Sequence, residues 1–132
     1  MCCLAPTTTK EFTMALVAQV IAAAVMLLHV YIFLLETVWF RTRGRKVFGI
    51  PKENVDLMAP AMSNQGCYNG FLAAALALGL VLPNAATAQA FTVFGLACVA
   101  VAGVWGGVTV SRRIVFVQTV PAVLGLAARA LA

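Results

Sequence analysis

Charge is scarce in this chain. Nine of its 132 residues are Lys or Arg, four are Asp or Glu and one is His. The charged fraction is 10%, where soluble domains carry about 25%. A soluble helical bundle sets a charged face against an apolar one on every helix. That pattern is absent here, since the long segments are apolar almost all round. The lone His29 leaves haem without a second ligand, and no attachment motif accompanies it, so no cofactor is expected. Of the four cysteines, Cys67 and Cys98 fall in apolar segments without metal-ligand spacing and read as small packing residues. The adjacent Cys2 and Cys3 are given no role, and no metal site is expected. Residues 1–13 lack a basic region followed by a compact apolar core, so a cleavable signal peptide is not expected. Internal repeats are missing too, which removes the inverted-repeat transporter plan.

What is present is hydrophobicity, at 63% of residues. A single-domain chain of this length has too little interior to bury so much apolar surface, whereas a bilayer accepts it. The run Met14–Phe40 holds no Lys, Arg or Asp, and roughly 20 apolar residues already cross a membrane. Three more segments follow, so the sequence predicts an all-α integral membrane four-helix bundle. A short tail, 1–13, precedes spans at about 14–40, 61–82, 88–110 and 114–131. Gly44, Gly49, Pro51 and Pro60 punctuate the segment 41–60, where Val47, Phe48 and Ile50 are expected to dip into the membrane interface. Pro121 is expected to kink the last span.

The basic residues fall between the apolar segments, where topology signals belong, so no nucleic-acid partner is expected. The 41–60 segment and the 111–113 turn must share a side, and together they hold seven basic residues. The opposite side has Lys10 and Arg129. An excess of Lys and Arg marks cytoplasmic loops, so both termini are expected outside an inner membrane. Arg41, Arg43, Arg45 and Lys46 form a juxtamembrane cluster attractive to anionic lipid.

Ionisable groups at membrane depth are costly unless they are paired or face a polar cavity. His29 and Glu36 lie seven residues apart, about 700° of helical rotation, and so share a face. The topology gathers Asn64, Gln65, Tyr68 and Asn69 of the second span, with Arg112, Arg113 and Gln118 of the fourth, in the same leaflet. Two arrangements satisfy these groups. In the first they line a cytoplasm-facing pocket that binds or converts a small molecule or lipid. His29 and Glu36 are then the candidate acid–base residues, and the others are ligand contacts. In the second Glu36 pairs with Arg112 or Arg113 and the amides tie helices together, as in an accessory subunit without catalysis. A small oligomeric transporter is a third possibility. Gly66, Gly70, Gly103 and Gly107 predict close packing of the second span on the third, within one subunit or between subunits.

The blocks LHVYIFLLE, RGRKVFG, NQGCYNGFLAA and VSRRIVFVQTVPA, in this order, resemble the small bacterial membrane proteins grouped as domain of unknown function 1304. The resemblance runs from Met14 onward and implies four membrane helices, with no activity attached. A second similarity is to the membrane-associated eicosanoid and glutathione enzymes, which also have four spans and a basic first cytoplasmic loop. The second span here has Asn64 and Asn69 without that group's accompanying Arg and Glu. What carries over is a homo-oligomer with a cytoplasm-facing site.

Overall fold

The computed structural model describes residues 8–132; Cys2 and Cys3 lie outside the described residues. All regular structure among the described residues is helical. Helix α1, Thr9–Glu36, starts five residues ahead of the apolar run. The reason is a reciprocal cap: the Thr8 hydroxyl accepts from the Glu11 amide at 3.2 Å, and the Glu11 carboxylate accepts from the Thr8 amide at 2.7 Å. The helix stops at Thr37, whose backbone leaves the helical region while its hydroxyl donates to the Phe33 carbonyl at 2.6 Å.

A widened turn, Phe40–Gly44, and the short α2, Arg45–Val47, then fold back on the end of α1. A Cβ at position 44 would collide with the Leu35 carbonyl, so this return needs glycine. Gly49 ends α2 at φ 67°, a left-handed conformation that glycine adopts without steric cost. Ile50 does not dip into an interface, as the sequence suggested. It is buried against Phe40 and Val55, with Met58 and Met62 packed around them. This second small core ties the basic segment to the base of α3.

Helix α3, Val55–Val81, continues through Pro60, read above as a breaker. Proline has no N–H to donate, so the backbone bond to the Asp56 carbonyl is lost there while the helix continues. Helix α4, Ala85–Thr109, begins at Asn84, whose side chain accepts from the Thr87 amide at 2.9 Å. The last segment is a widened turn, Val115–Thr119, leading into α5, Val120–Ala130. The turn lies directly ahead of Pro121, which has no N–H to offer the turn before it.

Helix α1 packs on α3 and α5, and α4 packs on the same two, so α1 and α4 stand diagonally. All four contribute to one core of Val25, Leu76, Leu96, Val99 and Ala122. Helices α1 and α4 are each long and apolar enough to cross a membrane, yet only 22% and 28% of their most apolar stretches are buried inside the protein. The remaining apolar side chains, among them Phe94, Val101, Trp105 and Val108, point outward.

Within the chain the glycines do allow close approach, but not between the two helices expected. Gly66 faces Thr37 and Glu36, where a Cβ would stand 2.6 Å and 3.1 Å from their side chains, and Gly70 faces Phe33 at 3.3 Å. Both serve the α1–α3 seam. Gly103 faces Thr119 and Gly107 faces Val115, on the widened turn before α5. The α3–α4 contact uses Gly79 against Thr92 and Gly95 against Leu76 instead. Small-residue spacing marks a face for close packing and leaves the partner unspecified.

Candidate functional site

Because α1 and α3 run antiparallel with Gly66 opposite Thr37, Asn69 comes level with Glu36. The Asn69 amide donates to the Glu36 carboxylate at 2.7 Å and lies 3.3 Å from the Gln65 carbonyl one turn back. Both side chains are buried. The expected partnership of Glu36 with Arg112 or Arg113 does not form: both arginines are exposed, and among the described residues the one ion pair joins Arg41 to Asp56. The α1–α3 seam brings the Asn69 amide to the carboxylate instead.

His29 is fully buried. Its Nδ1 lies 2.8 Å from the Val25 carbonyl, while its Nε2 has no hydrogen-bond partner. A buried polar atom left without a partner costs about 1–3 kcal/mol, so such atoms call for an explanation. The ring occupies the level between two regions. The apolar core begins one turn away at Val25, and the Glu36–Asn69 pair lies two turns in the other direction, about 10 Å along the axis. At that separation His29 and Glu36 share a helix face without forming a hydrogen-bonded dyad. Direct proton exchange between them is outside the reach that acid–base partners need.

The remaining sequence candidates divide. Gln118 is half-buried, at the turn packed on α4. Asn64, Gln65 and Tyr68 lie on the exposed side of α3 with Arg112 and Arg113 also exposed. The inward set is thus His29, Glu36 and Asn69. Two concavities flank it. An apolar groove of about 400 Å³ between α1 and α3 is lined by Met26, Val30, Phe33, Gly70, Ala73, Ala74 and Ala77. A basic bowl of about 440 Å³ is lined by Arg41, Thr42, Arg43, Arg45 and Lys46.

Two polar ties escaped the sequence reading. The Thr119 hydroxyl donates to the Ala100 carbonyl of α4 at 3.1 Å, and Arg129 donates to Gln89 at 2.8 Å. Thr119 sits in a block already singled out, but nothing local marks a partner 19 residues away.

No curated protein and no solved structure matches the chain. A family model does, over residues 23–130, a stretch that includes the whole inward polar set and the basic bowl. The chain therefore belongs to the family described as protein of unknown function, DUF1304.

Proposed function

We propose that this is a multi-pass membrane protein that binds the polar part of a small molecule or lipid at His29, from within the bundle. Four segments cross the bilayer in this reading: α1, α3, α4 and the Val115–Ala130 stretch. The basic segment and the 111–113 turn face the cytoplasm, and both termini lie outside. The observation that carries the binding role is the unpartnered, buried Nε2 of His29. An imidazole nitrogen with its other nitrogen tied to backbone has one free position to offer a ligand. An apolar groove lined by Met26, Val30 and Phe33 runs along the same stretch of α1. Binding is favoured over acid–base conversion, because His29 and Glu36 stand two turns apart.

Native mass spectrometry of the protein in mild detergent tests this, since it reports copy number and any retained small molecule together. His29→Leu, which roughly keeps the buried volume, should remove the retained molecule and leave thermal stability nearly unchanged. Loss of stability comparable to that of Asn69→Ala, with no molecule lost, would refute the binding role.

A second reading has a specific observation behind it. The bond between Asn69 and Glu36, set beside the close fit of Gly66 and Gly70, serves helix packing without any ligand. In that reading the protein is a non-catalytic accessory subunit, and His29 is one more packed side chain.

A further inference from the structure

We propose that the basic bowl at the end of α1 is a binding site for the phosphate of an anionic lipid headgroup. The inference rests on the membrane reading above and concerns a different part of the molecule from His29. Cations placed only to set topology need to be numerous; they do not need to be brought together by folding. Here the widened turn Phe40–Gly44 and α2 converge Arg41, Arg43, Arg45 and Lys46 around one concavity, with Thr42 at its wall. Gly44, seated against the Leu35 carbonyl, and the Phe40–Ile50–Val55 core hold that fold-back in place. Asp56 neutralises Arg41, while Arg43, Arg45 and Lys46 have no carboxylate within ion-pair distance among the described residues. Several uncompensated cations around one hollow disfavour each other unless an anion enters.

The surroundings fit a lipid better than a free phosphate. The Arg43 guanidinium lies 5.6 Å from the ring centre of Tyr31, and Tyr31 meets Trp39 edge-on at 6.5 Å. Stacking on a ring orients a guanidinium while leaving its donors free. Tyr and Trp at the end of a span are headgroup-level residues. Val38, Val47 and Phe48 are exposed around the same end of the bundle and offer contact to acyl chains. The bowl thus joins donors for a phosphate to apolar surface for what the phosphate is attached to.

The test is lipid retention by the full chain, measured by native mass spectrometry from nanodiscs of phosphatidylcholine mixed with phosphatidylglycerol. Wild-type protein should retain phosphatidylglycerol in preference to phosphatidylcholine. A basic residue at an anionic surface is worth about a fivefold change in partition, so the triple variant Arg43→Gln/Arg45→Gln/Lys46→Gln should lose that preference by about a hundredfold. The pair Arg112→Gln/Arg113→Gln, on the same proposed face, should keep it. Equal losses from the two variants would reduce the bowl to diffuse surface charge and overturn the site. So would the absence of preference in wild type, or full competition by glycerol phosphate, which would point to a soluble phosphate ligand. If the triple variant does not fold, Lys46→Gln alone should show about a fivefold loss, and no loss overturns the site. Resistance to alkaline extraction from membranes is measured alongside. Extraction of the wild-type chain would fail the membrane reading itself, whereas retention in the membrane without lipid preference fails only the bowl.

Discussion

At Glu36 a buried carboxylate is satisfied by an amide rather than a guanidinium, and this changes what substitution there should do. A buried hydrogen bond contributes about 0.5–1.5 kcal/mol, and orphaning one partner costs about 1–3 kcal/mol, more than removing both. Asn69→Leu should therefore destabilise the protein by about 1–3 kcal/mol, read as a lowered melting temperature in detergent. Glu36→Gln keeps an oxygen to accept from Asn69 and should be milder. The double variant Glu36→Leu/Asn69→Leu should recover most of the single-variant loss. Additive losses in that cycle would show that the two side chains do not act as a pair. His29 behaves differently, because its one hydrogen bond is to its own helix and its removal orphans no side chain elsewhere. The inward placement of both ionisable residues was legible in the sequence, since a seven-residue spacing puts them on one helix face. Their partners were not. A seven-residue spacing fixes a shared face, but which neighbour arrives there depends on helix register, set by contacts such as Gly66 on Thr37.

Among the elements, the α1–α3 seam is the one where small changes should be felt most. An alanine at position 66 places a methyl against the Thr37 methyl and the Glu36 Cβ. Overpacking of this kind costs about 1–3 kcal/mol, and Gly66→Ala should lower the melting temperature accordingly. Thr37→Ser removes the nearest obstructing methyl and should restore part of the loss in the Gly66→Ala background. No recovery would mean that the strain lies in the helix backbone and not in that contact. In the core, Leu76 is fully buried among residues of the other three long helical segments. Leu76→Ala should cost about 2–5 kcal/mol, measured in the same way. The sequence made the long helices readable because apolar runs between turn residues leave few alternatives. It concealed their ends. The Thr8–Glu11 cap extends α1 into charged residues, and α3 continues through Pro60 despite the lost backbone bond. The basic segment was read as a loop, yet it has its own small core, because Phe40, Ile50 and Val55 lie too far apart in sequence to form a periodic pattern.

Across the whole molecule, apolar surface lies along the sides of the long helices and positive charge gathers at one end. Helices α1 and α4 face outward with most of their apolar side chains, which suits a hydrocarbon environment and would be a liability in water. The basic residues of 41–60 and 111–113 gather at one end of the bundle, since α1 leads into that end and α4 returns to it. Topology reporters placed along the chain test the proposed four crossings most directly. Fusions within 41–60 and after Arg113 should give bright fluorescent protein and inactive alkaline phosphatase. Fusions in the Pro83–Thr87 turn and after Ala132 should give the opposite. A uniform pattern at all four positions, or the inverted one, would contradict the four-span account.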